Sequence, residues 1–251
     1  MMSRRALLGA SAASTALAAG GVALAADEET VLTAVDAHRA GYPTVAAVEW
    51  LGAELARETN GRIRFRQYPS GQLGSETDTV NLARFGVLDI CRVNAAGLNN
   101  MFPLTRPLAM PYVFRDVGHM RRVLDGSLGR EILAGFESRG LVGLAFYDAG
   151  IRSMYNARRP IHAPEDMHGL KVRVQRSDIF IELINAMGAN ATPIAFSEVY
   201  TGLQTHLVDG AENNWSTFQS VRHYEVARYW SDTQHSFSPE LLLISKPRFE
   251  S

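Results

Sequence analysis

The 251-residue chain contains a single cysteine, Cys91, and only two lysines, Lys171 and Lys246. One thiol excludes an internal disulfide. Because nearly all positive charge is arginine, being an arginine carries no information here; position and neighbours do. There is no basic run, and the formal net charge is −1, which argues against a nucleic-acid partner. Past the amino terminus no apolar stretch approaches the roughly 20 residues that span a bilayer. HExxH, GxSxG, a phosphate loop and a Cys/His zinc spacing are all missing. His223-Tyr224-Glu225 reads as a helical-face pair, and Asp209 and Glu212, three apart on one strand, face opposite ways. No nucleophile–base or metal constellation remains, so the reading is not an enzyme and no cofactor is expected.

What is present begins with Ser3-Arg4-Arg5-Ala6-Leu7-Leu8, a twin-arginine pattern. An apolar run follows, and then an Ala23-Leu24-Ala25 cleavage site. This predicts export to the periplasm with removal of residues 1–25. The remaining 226 residues carry a formal charge of −3 once Arg4 and Arg5 are gone. That length supports one large domain or two lobes with real cores.

The pattern along the chain is α/β. Strands are predicted over Val31–Asp36, Ile63–Tyr68 and Leu88–Val93, with helices from Thr44 to the Asn60-Gly61 stop and over Ser75–Phe85. Cys91 falls in an apolar strand and is expected to be buried as a small hydrophobe. The densest information lies in Leu170–Trp215, which reads as strand, helix, strand, helix, strand. Leu170, Val172 and Val174 alternate with Lys171 and Arg173, and Gln175 extends the polar row. Asp178 is the expected cap of a helix ending at Gly188. Ser197 opens a second helix carrying Val199, Leu203 and Leu207, and a strand over Leu207–Glu212 delivers Asn213 and Asn214 at its carboxyl end. Open α/β sheets usually hold ligands at such ends.

Three motifs in this order, LKVRV, AFSEVYTGLQT and VDGAEN, resemble the periplasmic substrate-binding proteins of tripartite ATP-independent periplasmic (TRAP) transporters, DctP type. The likeness runs from about Val31 to the last residue. It implies an α/β, two-lobe periplasmic binding protein fold with a ligand cleft between the lobes. Lobe I would span 27–149, lobe II 150–238, and 239–251 would return to lobe I through the apolar run Leu241–Ile244. Family members continue with a long helix bracing both lobes, so the chain reads as C-terminally truncated.

The resemblance also proposes a site. Arg173 matches the family arginine that grips a substrate carboxylate, a role suited to a planar two-pronged donor. Arg152 matches a second arginine, Asn213 an asparagine ligand, and Phe196 an aromatic that stacks on the ligand. Arg92-Val93-Asn94, the His38–Pro43 turn, Phe146-Tyr147-Asp148, Arg173-Val174-Gln175 and Gly210–Trp215 together resemble the branch that binds hexuronates such as D-glucuronate and D-galacturonate. Asn94, Asp148, Gln175, Asn214 and His38 are candidate hydroxyl partners, and Trp215 a candidate sugar-stacking ring. His235, near the crossing between lobes, is read as a surface or structural residue. The expected function is a monomeric receptor that hands a carboxylated sugar to the membrane permease subunits. The alternatives are a C4-dicarboxylate receptor of the same fold and, more distantly, a secreted carbohydrate-acid enzyme.

Overall fold

The computed structural model describes residues 29–251. The twin-arginine segment and its cleavage site lie outside the described residues. Eight strands form: β1 (Thr30–Val35), β2 (Ile63–Tyr68), β3 (Ile90–Asn94), β4 (Leu141–Asn156), β5 (Lys171–Val174), β6 (Asn190–Pro193), β7 (Gly210–Asn214) and β8 (Tyr229–Ser245). They make one sheet in the order β2-β1-β3-β8-β4-β7-β5-β6. Its flanks are parallel, β1 with β2 and β3, and β5 with β6 and β7. Between the flanks, β4 and β8 run antiparallel.

These two central strands are unusually long, 16 and 17 residues, or roughly 50 Å at about 3.3 Å per residue. That length lets one pair serve both halves of the molecule. Leu141–Asp148 of β4 pairs with the end of β8 beside β3, whereas Ile151–Asn156 pairs with its beginning, beside β7. The register breaks between Asp148 and Ile151, where Gly150 takes φ +100°. A side chain there would be strained, so glycine lets the strand bend.

The apolar cores divide in the same way. Val35, Cys91, Val93, Leu241 and Leu243 lie in one cluster, and Leu32, Ala34, Ile90, Leu242 and Ile244 in the cluster on the opposite sheet face. The run Leu241–Ile244 is thus buried on both faces, which is why it does not alternate. Beyond the crossing, Leu170, Val172, Val174, Phe180 and Ile184 form one core, and Tyr155, Val199, Leu203 and Phe218 another.

Several predicted boundaries move for identifiable reasons. The helix Asp178–Ala186 is capped at the Ser177 position; Asp178 is its first residue and accepts from Asn100 Nδ2 at 3.2 Å. The helix expected to carry Leu207 stops at Gln204, because His206 turns left-handed at φ +60°. Leu207 is consequently 57% exposed. β7 starts at Gly210 rather than Leu207, since the Val208 N–H returns to Gly202 O at 3.1 Å and leaves the ladder. His235 is fully buried, which removes the surface reading.

Candidate ligand-binding site

Three buried arginines lie where the halves meet, and their partners differ. Arg92, on β3, is enclosed by carboxylates. Nε donates to Asp36 Oδ2 at 2.7 Å and Nη1 to Glu240 Oε2 at 2.5 Å, with Glu76 Oε1 at 3.5 Å. Arg152, on β4, is held by Glu212: Nε donates to Oε2 at 2.5 Å and Nη2 to Oε1 at 2.8 Å. Its Nη1 donates to Asn213 Oδ1 at 3.2 Å and Ser238 Oγ at 3.0 Å, and the group lies 5.4 Å from the centre of the Phe180 ring.

Arg173, on β5, is the exception. Its Nε donates to Ile194 O at 3.1 Å, and among the described residues no carboxylate pairs with it. It is nevertheless buried. Burial, only partly opposed by the field of Glu212, pulls its pKa down from the usual guanidinium value. An arginine cannot shed its proton in a protein, so this charge needs an anionic partner.

That partner has a place. Arg173 lines a small cavity of about 40 Å³. Gly74, Glu76 and Gly97 contribute from one half of the chain, and Gln175, Ile194 and Phe196 from the other. Gln175 Oε1 is buried without a donor, and His38 Nδ1 is buried without a hydrogen-bond partner. The His38 ring stacks on Tyr42 at 3.9 Å and meets the edge of Phe196 at 4.8 Å. Burial, with the charges of Arg92 and Arg152, drives the His38 pKa well below its usual value, so the ring is neutral at pH 7.

Contacts between the halves flank this cavity. On one side Arg39 Nη1 donates to Ser220 O at 2.8 Å and Tyr42 Oη lies 3.0 Å from Thr217 Oγ1. On the other, Asn99 bonds Ser177 Oγ at 2.9 Å. The halves therefore meet across the cleft.

The carboxyl groups around the site are strongly biased. For Glu212, burial would raise the pKa, but Arg152 and His235 outweigh it and hold it down at about 2. For Glu240, burial dominates over Arg92, and the neighbouring Glu76 and Asp36 add to it, so its pKa rises to about 7. Burial also raises the Glu76 pKa, against the pull of Arg92. The Cys91 thiol is pushed up to about 12 by burial, which makes it a poor nucleophile.

The ten residues proposed from sequence separate accordingly. Arg173, Gln175 and Phe196 line the cavity, and His38 packs behind Phe196. Arg152 and Asn213 are joined directly, Nη1 donating to Oδ1 at 3.2 Å. Asn94 Oδ1 accepts from Ala96 N at 3.0 Å and Asn214 Oδ1 from Thr217 N at 2.7 Å, so both oxygens start short helices. Of the ten, Arg152, Asn213, His38, Asn94, Asn214, Asp148 and Trp215 are not among the residues that line the cavity. Asp148 accepts from Arg121 Nη2 at 3.1 Å and Gly150 N at 2.9 Å, which closes its carboxylate into the β4 bend. Trp215 is 55% exposed and packs on Trp230 and Phe218. Sequence reasoning missed Glu76, Asp36 and Glu240, whose approach to Arg92 joins β3 and β8 to the end of β1 and the first turn of the helix Glu76–Arg84.

A second hollow, between the helix Pro43–Glu58 and the sheet, is lined by Trp50, Leu51, Phe65, Leu242 and Phe249. It is almost wholly apolar and lacks converging polar groups that could orient a polar ligand.

The fold and site define a solute-binding protein of the two-lobe type. Residues 35–251 match the family of bacterial extracellular solute-binding proteins, family 7 (DctP), and the chain belongs to that family. A solute-binding protein of Chromohalobacter salexigens is 37% identical over 213 residues, covering 85% of this chain and 63% of its own. The chain thus spans about three fifths of the length of that relative. A TRAP periplasmic solute-binding protein from Xanthobacter autotrophicus, solved with bound β-D-galacturonate, is 49% identical with a TM-score of 0.85. The match covers 87% of this chain and 73% of that one. One from Pseudomonas putida, solved with D-glucuronate, is 37% identical with a TM-score of 0.86, covering 88% and 73%. Among the described residues no helix is long and apolar enough to cross a membrane.

Proposed function

We propose that this protein is the extracytoplasmic receptor of a TRAP transporter and captures a hexuronate, D-galacturonate or D-glucuronate, for delivery to the membrane permease subunits. The observation that carries this reading is the buried, unpaired guanidinium of Arg173 in a cavity walled by both halves of the chain. Its two free Nη groups suit a carboxylate in two-pronged geometry. The unpartnered Gln175 Oε1 is an acceptor for a sugar hydroxyl, and Phe196 offers an apolar face to the ring. His38, Asn94 and Asn213 are further contacts in this reading, while Arg152 orients Asn213 from behind. The uronates held by the Xanthobacter and Pseudomonas proteins support the ligand class.

Binding is the whole of the mechanism. The lobes divide near 149/150 and 238/239, and hinge motion of the β4–β8 crossing closes them over the ligand. The protein acts as a monomer in the periplasm after loss of residues 1–25. Thermal unfolding with D-galacturonate, D-glucuronate, succinate and sialate tests the assignment. A ligand at a thousandfold over its Kd adds about 4 kcal/mol of stability. Stabilisation by the uronates alone supports the reading. Stabilisation by succinate instead transfers the function to dicarboxylate capture, and silence with all four removes the substrate class.

A further inference from the structure

Resting on that reading, a hollow on the seam between the halves carries a second role. It has a volume of about 520 Å³; Arg39, Tyr42 and Pro43 wall it from one half, and Ser220, Arg222 and Tyr224 from the other. Two arginines line it and no carboxylate does. The walls are tied across the seam: Arg39 Nη1 donates to Ser220 O at 2.8 Å, and Tyr42 Oη lies 3.0 Å from Thr217 Oγ1. The Arg39 contact is to a neutral carbonyl and leaves its charge in place. Arg222 follows the helix Trp215–Ser220 in the left-handed region, at φ +58°, a conformation that strains any side chain and suits glycine. An arginine at such a place points to a use for its side chain, which is 64% exposed. It pairs with Glu225 Oε1, but Glu225 is also held by Tyr200 Oη at 3.0 Å, and so exposed a pair contributes little. An incoming carboxylate can therefore recruit the guanidinium.

Charge and side-chain type describe the partner. Exposed arginine and tyrosine are among the residues that most often anchor protein interfaces, and two guanidinium groups around one hollow favour a carboxylate. Opening of the lobes would draw Arg39 away from Arg222, because each belongs to a different half. Only the closed receptor presents both. We infer that this hollow is a docking site for the membrane permease: an aspartate or glutamate side chain from an extracytoplasmic loop of a permease subunit enters it and is held by Arg39 and Arg222 together. The seam thereby reports closure, and the permease takes hold of the ligand-loaded receptor in preference to the empty one. Arg222 does not line the cavity of Arg173, so capture and docking can be separated by substitution.

The test is uptake of labelled D-galacturonate by energised membrane vesicles that contain the permease subunits. The parent protein, Arg222→Gly, Arg222→Glu or Arg222→Lys is added over a range of concentrations, with calorimetric titration and melting temperature measured alongside. Glycine removes the side chain at a backbone position that favours it, so Arg222→Gly should melt no lower than the parent protein. All three variants should bind galacturonate within twofold of the parent. The receptor concentration at half-maximal uptake should rise at least tenfold in Arg222→Gly and further in Arg222→Glu. Arg222→Lys, which keeps the charge, should recover most of the loss. Uptake curves of Arg222→Gly and Arg222→Glu that match the parent overturn the inference and leave uronate capture standing. A parallel loss of galacturonate affinity in these variants also overturns it, since that places Arg222 in capture. Absence of galacturonate binding or uptake with the parent protein overturns the underlying function instead.

Discussion

Arg152 and Glu212 form a two-pronged pair across β4 and β7, with N–O distances of 2.5 and 2.8 Å and both side chains out of solvent. Removing one member leaves the other charge buried and uncompensated, which typically costs about 3–5 kcal/mol. Glu212→Ala should therefore lower urea-unfolding stability by that amount in the ligand-free protein. Arg173 is the contrasting case. Arg173→Met removes a buried charge that lacks an ion-pair partner, so ligand-free stability should hold or rise. Ligand-induced stabilisation should vanish in the same variant. A loss as large as that of Glu212→Ala would contradict the distinction between the two arginines.

Asp209, from the VDGAEN motif, is a structural clamp rather than a ligand group. Its Oδ2 accepts from Lys171 N at 2.9 Å and its Oδ1 from Arg158 Nε at 2.8 Å, fixing the start of β5 against β7. Asp209→Ala leaves the Lys171 N–H short of a partner and should cost about 1–3 kcal/mol. Calorimetric selectivity among uronates should stay as it was; altered selectivity would place Asp209 in the recognition machinery.

Glu240 makes stability depend on pH in an unusual direction. Its pKa is about 7 in the fold against an ordinary 4.5, so the folded state holds the proton more tightly than the unfolded chain. The associated stability is fully present below pH 4.5 and lost as pH rises through 7. At about 1.4 kcal/mol per unit, the protein should lose roughly 2–3 kcal/mol between pH 5 and 8 relative to Glu240→Gln, which cannot titrate. Glu212 acts oppositely: its contribution, present above 4.5, is lost as pH falls toward 2. Urea unfolding of both proteins at pH 5 and 8 isolates the Glu240 effect. A constant difference between them would mean that Glu240 does not titrate in this range.

Trp215 lies on the outside of its lobe, edge-on to Trp230 at 5.0 Å between ring centres. Trp215→Ala should leave uronate affinity within twofold while lowering the melting temperature slightly through lost packing. A tenfold loss of affinity would show that the ring reaches the ligand after all.

The strands were legible where one face alternates or a turn bounds them: Ile63–Tyr68 appears with the expected limits, and Lys171–Val174 within a residue. Limits failed where a backbone N–H went elsewhere, as at Val208, because such detours depend on the neighbouring helix end. Within the site, Arg152 and Arg173 look alike along the chain, each an arginine that follows a branched apolar residue, Ile151 or Val172, in a strand. Register separates them: β4 sets Arg152 opposite Asn214 and Met154 opposite Glu212, bringing a carboxylate to one guanidinium and none to the other. Glu76 was illegible for a related reason. An acid in the first turn of a helix ordinarily faces water and complements the dipole. Only the fold turns this one inward, toward Arg92 on β3.

Isothermal titration of D-galacturonate into the protein and into Arg173→Lys tests the carboxylate anchor most directly. Lysine keeps the charge and discards the planar fork, so affinity should fall more than tenfold, by about 1.4 kcal/mol or more, with ligand-free stability retained. Equal affinities in the two proteins would contradict the assignment of Arg173 as the residue that grips the ligand.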